Sequence, residues 1–267
     1  MKSVPRGVGA ATIALAFALP VSGQTLLRLA PPEGQVSRYA FSVEMTMENP
    51  MIPTTGPVMT IRGVQTQTIL GAAEEVIRTR TAIDSAEMTV GVPGAGPLPD
   101  ISGSAFSIDM DPRGRVLNIS ADATPDGGGQ EMVQSLLEGS DYYWLPEAEV
   151  AAGDSWTQSV AVPMVGPLAP SGPAAPAESM EVEFTYTLAG LEDGRATITF
   201  TGPVESSLNM GGMTASFSGE LSGSMVVDLT AGRYVRQESR ANLEVVMAGM
   251  ATPTETTMIL ELLTDSP

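Results

Sequence analysis

Apolar and polar side chains alternate along most of this chain. In 38-RYAFSVEMTME-48 the positions Tyr39, Phe41, Val43, Met45 and Met47 are apolar or aromatic, while Arg38, Ser42, Glu44, Thr46 and Glu48 are polar. Successive strand side chains leave opposite faces, so this is a strand with one buried and one wet face. The pattern returns in 180-MEVEFTYTL-188, where Met180, Val182, Phe184, Tyr186 and Leu188 alternate with Glu181, Glu183, Thr185 and Thr187. Stretches rich in threonine and β-branched residues predict further strands at about 59–70, 75–90, 103–110, 115–121, 155–162, 195–202, 213–229, 233–248 and 255–263. Asp111-Pro112-Arg113-Gly114, Leu191-Glu192-Asp193-Gly194 and Thr230-Ala231-Gly232-Arg233 have hairpin chemistry, and hairpins make neighbouring strands antiparallel. The expected fold is mainly β: curved antiparallel sheets or a half-barrel, built from two similar meanders.

One segment breaks the period. In 130-QEMVQSLLEG-139, Met132, Val133, Leu136 and Leu137 fall on one helical face and Gly139 can stop the helix. A short helix at about 130–138 is therefore expected, its apolar stripe laid on the open face of the sheet. The chain divides into a first meander half at 24–140, which includes the helix, and a second at 141–267. Ser102-Gly103-Ser104 … Asp109 … Gly114-Arg115 is echoed by Ser222-Gly223-Ser224 … Asp228 … Gly232-Arg233, as tandem duplication would leave it. The loops 49-NPMIPTTGP-57, 91-GVPGAGPLPD-100 and 163-PMVGPLAPSGPAAPA-177 are too rich in proline to extend a sheet, yet carry many apolar residues. They either collapse onto the domain or stay disordered; a functional alternative is that they fringe an apolar cavity or touch a membrane or partner.

The first residues change the picture of where the protein works. Lys2 and Arg6 precede the apolar run 10–19, followed by Pro20 and the small residues Val21-Ser22-Gly23. That is the layout of a secretory signal peptide at 1–23, too short to cross a bilayer as a helix. Cleavage after Gly23 implies an exported protein, periplasmic or extracellular; without cysteine it is not a lipoprotein. No other stretch predicts a transmembrane segment.

Composition then narrows the chemistry. The chain has no cysteine and no histidine, and its sole lysine is Lys2. Thiolate nucleophiles, imidazole bases, Schiff-base amines and His/Cys zinc ligands are thus absent after cleavage, so neither a metal site nor a cofactor is expected. The formal charge of −18 repels nucleic acid and anionic headgroups. An excess of Asp and Glu with almost no lysine also fits solubility in a saline habitat.

Gly153-Asp154-Ser155 matches the opening of a serine-esterase motif. A serine hydroxyl attacks carbonyls only when a base takes its proton, and here neither histidine nor a mature-chain lysine exists to do so. No catalytic residue, and no enzyme, is expected. Asp109-Met110-Asp111-Pro112-Arg113-Gly114 resembles a calcium loop, but Arg113 replaces an acid and no bidentate Glu follows; a hairpin explains it better. Glu74 and Glu75, adjacent on a strand, would face opposite ways and cannot flank one bond. The region holding Tyr142, Tyr143, Trp144 and Trp156 concentrates both tryptophans, either as core anchors or as the wall of a ligand cavity. Trp144, Trp156, Tyr143, Met132 and Leu136 are the candidate ligand-binding residues. Inward methionines such as Met45, Met47, Met180, Met225 and Met258 fit core filling or an adaptable apolar cavity, and without histidine they do not point to copper.

Gly34 … Tyr39 … Met45-Thr46-Met47, Asp111 … Gly114 … Val116, Leu145-Pro146 … Val150 … Gly153-Asp154-Ser155-Trp156 and Asp228 … Gly232 together resemble an exported bacterial family of unassigned function. The Leu-Pro … Val … Gly-Asp-Ser-Trp run is its most specific part. By architecture the chain is also similar to LolA/LppX-like lipid carriers, in which a helix crosses a curved sheet. That likeness implies non-enzymatic binding of a hydrophobic small molecule or lipid. The alternative is a structural or protein-interaction module of the envelope, presenting a sheet edge or the proline-rich loops to a partner.

Overall fold

The computed structural model describes residues 23–48, 56–91, 100–123, 144–163, 179–210 and 213–263. Among them are eleven strands: β1 (Val36–Met47), β2 (Met59–Ala72), β3 (Ile77–Val90), β4 (Ala105–Met110), β5 (Val116–Ala123), β6 (Ser155–Pro163), β7 (Ser179–Glu192), β8 (Arg195–Met210), β9 (Met213–Asp228), β10 (Arg233–Met247) and β11 (Met250–Leu262). None of the described residues is helical. The helix expected at about 130–138 lies outside them, as do most of the three proline-rich loops.

All strands join one open antiparallel sheet in the order β5-β4-β3-β2-β1-β11-β10-β9-β8-β7-β6. The chain starts mid-sheet, meanders through β1–β5 to one edge, crosses to the far edge, and meanders back through β6–β11. Rungs from Tyr39↔Leu262 to Met47↔Thr254 join the first strand to the last, making one continuous sheet. The serine-glycine echo does not fall on equivalent places. Gly103 sits in a turn at φ +84°, whereas Gly223 lies within β9 beneath the Phe200 ring.

Two strands outrun their sequence signal at prolines. β8 was expected to end near residue 202 but continues past Pro203, and β11 begins upstream of Pro253. Proline cannot donate to a ladder. β8 pairs with β7 only through Thr201 and thereafter with β9 alone. Likewise the paired rungs of β11 with β1 stop at Thr254, and beyond them Pro253 only accepts, from the Glu48 N–H at 2.9 Å. Each proline stands just beyond the last rung on one side, where a donor is not needed.

The register places Tyr39, Phe41, Val43 and Met45 of β1 on one face with Ile61 of β2 and Met258 and Leu260 of β11. This inner face carries the core. One cluster runs from Ile69 and Ile77 on β2 and β3 to Phe184, Tyr186, Leu188, Ile198, Phe217 and Met225 on β7–β9, and takes in Leu27, Leu29, Leu145 and Val150 from the connecting segments. A smaller cluster gathers Ile83, Ile101, Phe106 and Ile108. Inner-face glycines make room for rings to lie across them: Phe41 over Gly63, Phe184 over Gly202, Phe200 over Gly223. Such glycines let a sheet bend.

The bend is large. In a flat sheet the two edges of eleven strands would stand about 48 Å apart, at ~4.8 Å per strand. Here Arg113, from the β4–β5 hairpin, and Trp156, on β6, line one cleft. The sheet therefore curls until its edges approach, without pairing. The outer face is wet and carries cross-strand pairs such as Arg78–Asp109, Arg236–Glu261 and Arg240–Glu255. Exposed pairs of this kind contribute roughly 0–1 kcal/mol each.

Candidate functional site

The Gly-Asp-Ser-Trp run starts β6, and each of its residues has a structural partner. Gly153 adopts φ +94°, a conformation that disfavours side chains, and its N–H donates to the Leu188 carbonyl at 2.7 Å. The Asp154 carboxylate accepts from the Ala151 N–H at 2.8 Å while its own N–H returns to the Ala151 carbonyl at 3.0 Å. Ser155 Oγ meets Thr187 Oγ1 on β7 at 2.8 Å. Trp156 stacks on Tyr186, ring centroids 5.5 Å apart and planes 8° from parallel. Tyr186 in turn leans on Phe184 and Phe200, which meet edge-on at 5.7 Å. The serine thus faces a second hydroxyl, and its neighbouring acid is engaged in a turn.

The Leu-Pro run, just upstream, is held by two arginines. Leu145 is fully buried; its N–H donates to the Arg113 carbonyl at 2.8 Å, and Arg113 Nε donates back to the Leu145 carbonyl at 2.9 Å. Arg113 also reaches Glu147 Oε1 at 2.7 Å. Arg28 donates to the carbonyls of Pro146 and Glu147 at 2.7 and 2.8 Å. Burial pulls the Arg28 guanidinium below its usual value, and the nearby Arg113 charge adds to this. Val150 closes the segment onto the N-terminal stretch through a bridge to Thr25. The crossover is thereby clamped to the β4–β5 hairpin. Nothing in the sequence pattern pointed to this clamp, beyond arginine standing where turns favour small polar residues.

Between the clamp and β6 lies an open cleft of about 510 Å³, lined by Arg113, Pro146, Glu147, Val150, Trp156 and Gln158 among others. The buried Trp156 Nε1 and Gln158 Oε1 have no hydrogen-bond partner among the described residues. Of the five candidate ligand-binding residues, Trp156 lines this cleft and Trp144 packs against the large core cluster. Tyr143, Met132 and Leu136 lie outside the described residues. The Asp109–Gly114 segment is a hairpin: Asp111 Oδ1 accepts from the N–H groups of Arg113 and Arg115, and Asp109 binds Arg78. Among the described residues no group of three or more Asp or Glu converges as metal ligands would.

A second apolar surface lies in the middle of the inner face. Met47 on β1, Met59 on β2, and Met258, Leu260 and Leu262 on β11 are only half-buried and belong to neither core cluster. Sequence alternation had marked Met47 and Met258 as inward. It could not show that Met258 stands opposite Val43, four residues along β1 from Met47, because β1 and β11 open and close the sheet's chain path.

The profile of a family of unknown function (DUF6263) matches residues 122–233, a stretch that runs from the end of β5 to the start of β10. No curated protein matches. Among solved structures, the chain is similar to one described as "lipid-protein interactions in lipovitellin", with TM-score 0.50 and 10% identity over 88% of this chain. The chain spans about a quarter of that protein, 26% of its length. DynF from the dynemicin biosynthesis pathway of Micromonospora chersina aligns over 97% of this chain and 94% of its own at 8% identity, with a TM-score of only 0.27.

Proposed function

We propose that this protein is a non-enzymatic, exported binder of a hydrophobic ligand or lipid, which it holds against the inner face of its curled sheet. The observation that carries the reading is the set of partly exposed Met47, Met59, Met258, Leu260 and Leu262, which borders the buried Val43, Met45 and Ile61 on the inner face and belongs to neither core cluster. Large apolar side chains left half-covered on a concave face mark a binding surface, and methionine adapts its shape to irregular guests. The fold likeness to a lipovitellin structure described by its lipid–protein interactions supports the same reading. The cationic and apolar pattern of residues 1–23 supports export to the periplasm or beyond.

Titrating the delipidated protein with a fluorescent fatty acid tests the proposal. Saturable uptake is expected, and it should fall at least several-fold in a Met258→Gln/Leu260→Gln variant that keeps the wild-type circular dichroism. Uptake no greater than that of a globular control protein would overturn it. The edges β5 and β6, which pair with no further strand among the described residues, favour a second reading, a module that docks a partner strand; absent uptake together with strand-peptide binding would support that instead.

A further inference from the structure

Every arginine on the outer face of β1–β3 and every one in the β4–β5 hairpin has a carboxylate within ion-pair distance, as do Arg236 and Arg240 on β10. Arg233 differs. It begins β10, and its side chain turns toward the inner face, where an Nη1 hydrogen bond of 3.1 Å reaches Ser37 Oγ on β1. No Asp or Glu among the described residues pairs with it, and its buried Nε has no acceptor. The surroundings are polar on one side and apolar on the other: Gln35, Ser37, Gln67 and Thr79 against Leu29, Ile69 and Ile77. They enclose a cavity of about 30 Å³. Gln35 Oε1, likewise buried, has no donor.

The Arg233 side chain is partly buried, and its covered Nε–H lacks an acceptor in a chain of net charge −18 that has acids to spare. We infer that the Arg233 cavity is a carboxylate-binding site. A water needs roughly 10–15 Å³, so this space holds two oxygen atoms, whether of two waters or of one carboxylate, and the unpaired Nε–H favours the charged group. The Arg233 Nε–H would donate to one oxygen and the Ser37 hydroxyl to the other, with the Gln35 amide turned to present its NH₂. The site lies one step along the same face from the partly exposed Met258, Leu260 and Leu262, since Ser37 is two residues from Tyr39, which pairs with Leu262. An alkyl chain running from that carboxylate would lie on them. In its fatty-acid form this inference therefore rests on the proposed hydrophobic binding; in its free-carboxylate form it does not.

Displacement of a neutral hydrophobic probe by palmitate and by hexadecanol separates head from chain, and an acetate series monitored by thermal unfolding reads the carboxylate alone. Wild type should favour palmitate over hexadecanol by about ten-fold, the scale of one charge-assisted hydrogen bond. Arg233→Gln should erase that preference, Arg233→Lys should keep part of it, and Arg240→Gln, on the outer face, should leave it intact. If the small acid is the ligand, acetate instead raises the wild-type Tm and not that of Arg233→Gln, with palmitate and hexadecanol equal. Equal displacement with no acetate effect, or effects that persist in Arg233→Gln, would overturn the inference. Failure of the neutral probe itself to bind would sink the hydrophobic reading and leave the acetate arm to decide this one.

Discussion

Ser155 carries the residue type of a nucleophile in the surroundings of a strand. Its hydroxyl pairs with Thr187 on the neighbouring strand. A fluorophosphonate probe should leave the protein unlabelled, and Ser155→Ala should change stability by less than about 1 kcal/mol, the scale of one exposed hydrogen bond. Covalent labelling at Ser155 would contradict this. Backbone conformation makes a sharper contrast at two glycines. Gly103 and Gly232 both have positive φ, +84° and +64°, but a Cβ at Gly103 would meet open space, whereas at Gly232 it would strike the backbone of Ala30 and Pro31. Chemical denaturation should show Gly103→Ala costing about 1–2 kcal/mol and Gly232→Ala roughly twice that or more. Tyr39 supplies a pH signature. Burial pushes its phenol above the ordinary value. The unfolded chain therefore ionises first, so stability is complete below pH ~10 and declines as pH rises beyond it. Tyr39→Phe should flatten the alkaline limb of the stability curve.

The strands were legible one at a time because alternation is a local property. Each of the eleven is near its expected place, and the errors collect at Pro203 and Pro253, where a non-local fact decides whether a proline fits. Legibility ended at pairing. The β1–β11 rungs join residues more than two hundred positions apart, and no periodicity announces them. The same limit hid the clamp: Arg28 reaches a carbonyl 118 residues away. Trp156 could be picked out by its type, while Arg113 and Leu145 needed the fold. If the clamp fixes the crossover to the hairpin, Leu145→Ala should cost about 2–5 kcal/mol, as truncation of a fully buried leucine does. Arg113→Ala should cost about 1–2 kcal/mol through two lost side-chain bonds. Urea melts of the two variants measure both losses; wild-type stability in Leu145→Ala would mean the segment is not held.

Across the whole molecule, the sheet curls without closing. Its outer face is wet and acidic, so self-repulsion should be relieved as salt screens it; the thermal midpoint is expected to rise between low and molar NaCl. A falling midpoint would show instead that the exposed arginine pairs dominate. The middle of its inner face leaves Met47, Met59, Met258, Leu260 and Leu262 partly exposed around the buried Tyr39, Val43, Met45 and Ile61. Native mass spectrometry of the mature protein, before and after incubation with mixed lipids, asks whether that surface has an occupant. The expected spectrum shows a one-to-one adduct of lipid mass that collisional activation releases, diminished in Met258→Gln/Leu260→Gln. Bare protein in both spectra would contradict the proposed binding.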